Sequence, residues 1–150
     1  MIRVLMVCLG NICRSPLAEG ILEYKLDTSI FEIDSAGTSA FHQGSLPDQR
    51  SIEVANKYGI DITNQKSRPF TKKDFQSFDY IYVMDSSNYE DVISMADNKE
   101  DEDKVSLILN TIYPGENQSV PDPYHDSING FEQVYHMLEE SCSVIASELA

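Results

Sequence analysis

The sequence predicts a single-domain α/β fold, with a central four-stranded parallel sheet flanked by helices on both faces. Three observations carry that expectation. The chain has 150 residues and 41% hydrophobic content, enough for one core without disulfides or a structural metal and too short for two ordinary domains. Its first segment, Ile2 to Cys8 (IRVLMVC), is almost continuously apolar, as a strand buried on both faces of a parallel sheet must be. Strand-like and helix-like segments then alternate to the C-terminus, the pattern of βαβ units with right-handed crossovers.

Leu9 to Arg14 reads as a short loop after the first strand. Ser15-Pro16 reads as a helix start, with Ser at the N-cap and Pro at the first helical position, where its missing N–H costs nothing. Leu17, Ile21 and Tyr24 give that helix one face. Phe31 to Ser35 (FEIDS) alternates as a second strand and ends at the turn Ala36-Gly37-Thr38. Ser39 to Pro47 is loop-like, and a helix from about Pro47 to Tyr58 closes on Gly59, a good residue just past a helix end. Asp79 to Met84 (DYIYVM) is a third buried strand. A helix capped near Ser86 or Ser87 follows, the latter with Glu90 three residues on. Val105 to Leu109 supplies the fourth strand. In the last helix Phe131, Val134, Leu138, Cys142, Ile145 and Leu149 recur at steps of three and four, one face running to the C-terminus. Cys142 lies on that stripe and reads as a core residue. No repeat and no linker breaks the pattern, so residues 1–150 are expected to form one domain.

Charge is the outlying property. With 11 basic and 25 acidic residues the formal net charge is −14. That field argues against nucleic acid and anionic membranes as partners, and any anion site must be built from short-range donors. Much of the excess lies in Asp97 to Asp103 (DNKEDED), read as a solvated loop or helix end. The apolar run Val4 to Leu9 is interrupted by Gly10 and Asn11, too short for a signal-peptide core or a bilayer span. Three cysteines, an odd number, do not form a secreted disulfide framework, so a reducing, cytoplasmic compartment is expected. No His/Cys/Asp cluster has metal-ligand spacing, so neither metal nor cofactor is expected.

The chemistry concentrates in Cys8-Leu9-Gly10-Asn11-Ile12-Cys13-Arg14-Ser15. Ligands of open α/β sheets bind beyond the carboxyl ends of strands, and a helix start offers unpaired N–H groups to an anion. The loop after the first strand is therefore placed to wrap a phosphate. A thiol beside such donors and an arginine is favoured as thiolate, a nucleophile. Arg14 can hold two phosphoryl oxygens with its planar fork. Gly10 and Asn11 are the residues that most readily adopt positive φ, which would turn successive N–H groups inward. The loop lacks the GK[ST] of a nucleotide-binding loop, so no nucleotide or Mg²⁺ site is read from it. A C-x5-R pair alone is a weak signal; its position between a buried strand and a helix start gives it weight. Phosphoryl transfer to Cys8 also needs an acid for the leaving oxygen and a base for water. Asp122, in Val120-Pro121-Asp122-Pro123-Tyr124, is the candidate, in a loop stiffened by its prolines.

Taken together, VCLGNICRSP at Val7 to Pro16, DSAGTSA at Asp34 to Ala40, FDYIYVMDSSN at Phe78 to Asn88 and PDPY at Pro121 to Tyr124 resemble the low-molecular-weight protein tyrosine phosphatase family, in its order and spacing and across essentially the whole chain. The resemblance implies hydrolysis of phosphotyrosine in proteins, and of small aryl phosphates, through a cysteinyl-phosphate, with inorganic phosphate as product. It implies Cys8 as nucleophile, Arg14 as the phosphate-binding and transition-state-stabilising arginine, and Asp122 as general acid and base. Ser15 would stabilise the Cys8 thiolate, and Asn11 and Ser35 would belong to the network that shapes the loop. Cys13 resembles a second loop cysteine that forms a disulfide with the nucleophile under peroxide. Phe41 stands where members usually have Trp or Tyr, with Tyr124 as the opposite pocket wall and His125 beside it in place of a second tyrosine. Gln65 to Arg68 (QKSR) departs from the more usual H-x-A-R.

Related readings have discriminators in the sequence. A thioredoxin-coupled arsenate reductase needs further redox cysteines in mid-chain, and residues 15 to 141 contain none. A protein-arginine phosphatase of the family typically has Thr where this chain has Ile12. A phosphocysteine carrier has no need of a hydrolytic Asp122, and a silent phosphate-binding module has no need of a thiol. The expected partners are thus phosphotyrosine proteins met by a monomer, without nucleic acid or membrane insertion.

Overall fold

The computed structural model describes residues 1–150 throughout. Strand β1 (Ile2–Cys8) leads into helix α1 (Arg14–Lys25), followed by β2 (Phe31–Gly37), α2 (Gln49–Lys57), the single turn α3 (Asp74–Ser77) and β3 (Tyr80–Val83). Then come α4 (Ser86–Ile93), α5 (Lys99–Asp103), β4 (Val105–Leu107), a 3₁₀ turn at Ile108–Thr111 and the long α6 (Ile128–Leu149). The four strands pair in parallel in the order β2-β1-β3-β4. The first crossover carries the chain from β1 to one side and the next returns it to the other, so the strand order reverses beside β1. In open α/β sheets that reversal is where a ligand crevice opens beyond the strand ends.

Alternation along β1 feeds two cores. Val4, Met6 and Cys8 face α1, α2 and α6 and pack with Leu17, Ile21 and Val54, and with Phe131 and Leu138. Leu5 and Val7 face the other way, with Ile81 and Val83 of β3, Phe75 of α3 and Val92 of α4. Period-two side-chain direction in a strand covered on both faces explains the unbroken apolar run. Cys8 thus ends a strand anchored in the larger core, so its position is set by packing. No helix is long and apolar enough to cross a membrane.

Several boundaries differ from the sequence reading. Helix α1 begins at Arg14 with Cys13 at its N-cap position and no side-chain cap. Ser15 lies inside the first turn because its hydroxyl is committed to Cys8 and Asn11, and Pro16 is still tolerated there because first-turn N–H groups lack helical partners. Tyr24 is 72% exposed; Ala18 and Leu22 complete the buried face instead. Strand β2 runs on to Gly37, and β4 stops at Leu107 where the 3₁₀ turn begins. Asp48 caps α2 and Asp85 caps α4, each accepting a bond from a first-turn N–H, so neither Ser86 nor Ser87 does. The acidic run forms α5 behind the cap Asn98, and Asp101 within it is buried. Leu149 is only partly covered at the end of the α6 stripe.

Candidate active site

The loop from Cys8 to Ser15 is held from outside by its carbonyls. Cys8 O accepts from Thr38 N at 2.9 Å, Leu9 O from Ser39 N at 2.9 Å, and Ile12 O from Asp48 N at 2.7 Å. Gly10 O accepts from the Ser67 hydroxyl at 3.0 Å and Cys13 O from the Ser51 hydroxyl at 3.2 Å. None of the N–H groups from Leu9 to Ser15 finds an acceptor within the chain. Largely buried backbone donors left unpaired in series are costly unless a ligand accepts from them. With the carbonyls drawn outward, these donors form an anion cradle at the N-terminus of α1.

Asn11 sets the curvature and the proton directions. Its φ is 56°, in the left-handed region that Asn tolerates better than most residues. Its amide oxygen accepts from Arg68 N at 3.0 Å, so Nδ2 faces two hydroxyls, Ser15 Oγ at 2.8 Å and Ser35 Oγ at 2.9 Å. Both hydroxyls are acceptors in those bonds and keep their own protons to donate elsewhere. Ser35 donates to Glu19 Oε1 at 2.7 Å. Ser15 is left to donate to Cys8 Sγ, 3.0 Å away. Gly10 does not adopt positive φ, contrary to the sequence expectation; a Cβ there would lie 3.0 Å from Cδ2 of the His42 side chain, which would have to give way by a few tenths of an ångström. Gly37 is needed more strictly, since a Cβ would come within 2.8 Å of Leu9 O.

Arg14 is 2% exposed. Its Nη1 donates to Asp85 Oδ2 at 2.7 Å and to Val120 O at 2.9 Å, while Nε and Nη2 make no hydrogen bond within the chain. One nitrogen fixes the guanidinium and the other edge remains for a ligand. Burial works against the charge, but Cys8, Asp85 and Asp122 outweigh it and hold the guanidinium protonated more firmly than usual. Asp122 Oδ2 lies 3.9 Å from Arg14 Nη2, with its side chain 44% exposed. A nearby carboxylate, a cation and a cluster of N–H donors around one sulfur can bind a tetrahedral dianion and exchange a proton at its outer oxygen.

A cleft of about 410 Å³ opens over the loop. Phe41, His42, Tyr124 and His125 line it. The His42 ring lies edge-on to Phe41 at 4.9 Å between centroids and tilted to Tyr124 at 6.3 Å. Phe41 is 87% exposed, so it forms a projecting rim. Cys13 is buried, and burial, with Asp48, Cys8 and Asp122 adding to it, pushes its thiol well above the ordinary range. All three cysteines are free, and Cys142 lies in the core with its thiol toward Ala18 O. No group of three or more His, Cys, Asp or Glu side chains is placed to hold a metal ion.

The QKSR segment supports the loop in its own way. Gln65 Nε2 donates to Pro16 O at 3.0 Å, Ser67 holds Gly10 O, and the Arg68 guanidinium bridges Asp34 and Asp74. Sequence reasoning missed Asp85, whose signal was an acidic residue at the end of a buried strand before a helix. It also missed Glu19, Asp48, Arg50 and His42, which carry no local signal for the site.

Fold and cradle together define an α/β phosphatase built around a cysteine-containing loop. The family model described as low molecular weight phosphotyrosine protein phosphatase matches residues 3–150. The chain is 42% identical over 142 residues to the low molecular weight phosphotyrosine protein phosphatase of Schizosaccharomyces pombe, covering 91% of this chain and 90% of that one. It is 38% identical over 144 residues to the human protein of the same name, covering 93% and 90%. The crystal structure of a protein tyrosine phosphatase from Entamoeba histolytica with Hepes in the active site superposes with a TM-score of 0.92 at 33% identity, covering 99% of this chain and 97% of that chain. The chain belongs to the low molecular weight phosphotyrosine protein phosphatase family and is a protein-tyrosine-phosphatase.

Behind the cradle, Glu19 is buried on α1. Burial pushes its carboxyl up to about 9, against the Ser35 bond that favours the anion, and Glu23 and Asp34 raise it further. Arg68 is committed to Asp34 and Asp74 and gives it no salt bridge. Glu19 therefore holds a proton in the folded protein at neutral pH, and in the unfolded chain it releases that proton above its ordinary 4.5. Below 4.5 both states are protonated and there is no effect. From 4.5 to about 9 the unfolded state gains, so folding stability falls as pH rises. Glu19→Gln, which imitates the protonated carboxyl, should gain stability over wild type by up to about 1.4 kcal/mol per pH unit in that window. Urea melts at pH 5 and pH 8 measure this; a pH-independent gap between the two proteins overturns it.

Proposed function

We propose that residues 1–150 act as one phosphatase domain that hydrolyses phosphotyrosine in protein substrates, and small aryl phosphates, with Cys8 as nucleophile, Arg14 as phosphate clamp and Asp122 as acid and base. The observation that carries this reading is the ring of unpartnered N–H groups from Leu9 to Ser15 around Cys8, beside the free edge of Arg14. Three phosphoryl oxygens need such donors, and the charge they gather in the transition state is met without reorganisation. The aromatic cleft walls suit a flat phenyl ring.

In the first step Cys8 Sγ attacks phosphorus, the phosphorus–oxygen bond to the phenol breaks, and Asp122 gives its proton to the departing oxygen. In the second, Asp122 takes a proton from water as that oxygen attacks phosphorus, and the sulfur–phosphorus bond breaks. Cys8 leaves as a thiolate that accepts a hydrogen bond from the Ser15 hydroxyl, and inorganic phosphate is released. The whole set comes from one chain, which supports a monomer as the working unit, and three free cysteines fit a cytoplasmic setting. Peroxide would oxidise the Cys8 thiolate to a sulfenic acid with loss of hydroxide, and attack by the Cys13 sulfur would then form a disulfide and expel water.

Release of p-nitrophenol from p-nitrophenyl phosphate, with chelator present, tests the class. Cys8→Ser should lower turnover more than about 1000-fold, and retained activity removes Cys8 as nucleophile. Asp122→Ala should lower kcat/KM about 100-fold or more on phenyl phosphate and under about tenfold on p-nitrophenyl phosphate, because a poor leaving group depends more on the acid. Equal losses remove Asp122 from the acid role. After peroxide and then dithiothreitol, Cys13→Ser should regain a smaller fraction of its own starting activity than wild type; equal recovery removes Cys13 from the protective role.

A further inference from the structure

The segment carrying Asp122 has few ties to the rest of the chain. From Pro121 to Ser127, its only hydrogen bonds to a distant part of the chain come from Arg50 of α2, whose Nη2 donates to Tyr124 O at 2.9 Å and Nη1 to Asp126 O at 2.8 Å. The other bonds there are local, Tyr124 N to Asp122 Oδ1, Asp126 N to Pro123 O and Gly130 N to Ser127 O. Arg50 is itself immobilised. Asp48 accepts from Arg50 Nε at 3.0 Å and from Nη2 at 3.0 Å, and the guanidinium lies 4.3 Å from the Phe131 ring centroid. The same turn of α2 is fastened to the phosphate loop, by Asp48 N to Ile12 O and Ser51 Oγ to Cys13 O.

One rigid turn therefore grips the loop around Cys8 with its backbone and the segment around Asp122 with a side chain. We infer that Arg50, fixed by Asp48, is a positioning residue for the reaction, a strut that sets the distance between Asp122 and the phosphoryl group held over Cys8. This rests on the assignment of Asp122 as the acid. A guanidinium suits the task because its planar fork spans two carbonyls and a carboxylate at once, which an ammonium cannot do. A displacement of about 1 Å in a proton donor is enough to cost about 100-fold.

The test measures kcat/KM, which reports events up to release of the phenol, for aryl phosphates from p-nitrophenyl to phenyl phosphate. The proteins are wild type, Arg50→Ala, Asp122→Ala and the double variant. Arg50→Ala should lose about tenfold more on phenyl phosphate than on p-nitrophenyl phosphate, while competitive inhibition by inorganic phosphate stays within about twofold of wild type. In the Asp122→Ala background the Arg50 substitution should cost less than about twofold on either ester, since no acid remains to be misplaced. Arg50→Lys, reaching one carbonyl, should fall between. Losses equal on all esters, or additive in the double variant, overturn the strut while leaving Asp122 as acid. A leaving-group-independent loss in Asp122→Ala itself overturns the acid assignment and the strut with it. If Arg50→Ala does not fold, Asp48→Asn keeps the oxygen that accepts from the Arg50 backbone N–H but removes the negative charge and the acceptor for Nη2, which loosens the guanidinium, and the same leaving-group dependence decides.

Discussion

The site depends on one constraint, that the chain between β1 and α1 must turn its N–H groups to a common centre and its carbonyls away from it. A short loop cannot do this alone, because each inward donor leaves an outward acceptor that also needs a partner. The fold answers with donors from three separate segments, Thr38 and Ser39 after β2, Asp48 and Ser51 at α2, and Ser67 before Arg68. The stretches of chain between the regular elements thus build the wall behind the cradle. The left-handed φ at Asn11 costs on the order of 1 kcal/mol, offset by the three bonds its amide makes.

The second demand is a cation inside that wall. Taking a guanidinium out of water costs several kcal/mol unless it is paired and hydrogen-bonded. Arg14 meets this with Nη1 alone, against Asp85 and Val120 O, and so keeps an edge free. Asp85 serves twice, since its other oxygen caps α4 through Asn88 N at 2.7 Å. Because Val120 N in turn bonds Met84 O, the approach to Asp122 is anchored to the end of β3. The switch in strand order beside β1 is what brings these ends together.

What the sequence made legible follows from locality. The strand Ile2–Cys8 must be continuously apolar because both its faces are covered, and the α6 stripe repeats at helical spacing because one face is; both can be read from neighbours in the chain. Cys8, Arg14 and Ser15 belong to one local loop, and Asp122 stood out between its prolines. Asp85, Glu19 and Arg50 did not, because a helix-capping aspartate, a helical glutamate and a helical arginine look the same in sequence wherever they point. Ser15 misled as a cap because Ser before Pro is a helix-start pattern, and only the tertiary demand of Cys8 and Asn11 for its hydroxyl shows otherwise. Gly10 misled differently: its backbone does not use the left-handed freedom of glycine, and what distinguishes the position is the close approach of the His42 side chain.

The net charge of −14 at first opposes a site for a dianion, yet range resolves the conflict. At physiological ionic strength surface charges are screened beyond about 8 Å, so the acidic helix α5 and other distant carboxylates contribute little at the cradle. Unpaired N–H dipoles and a buried guanidinium act within hydrogen-bond distance, in a medium that weakens them far less than water does. Among the carboxylates, Asp85 and Asp122 come within ion-pair distance of Arg14, on different nitrogens. Asp85 pairs with Nη1, and Asp122 stands beside Nη2 on the edge left free. The chain can be strongly acidic and still bind an anion because the selecting field is local, and that field is only as good as the fixed positions of the groups producing it.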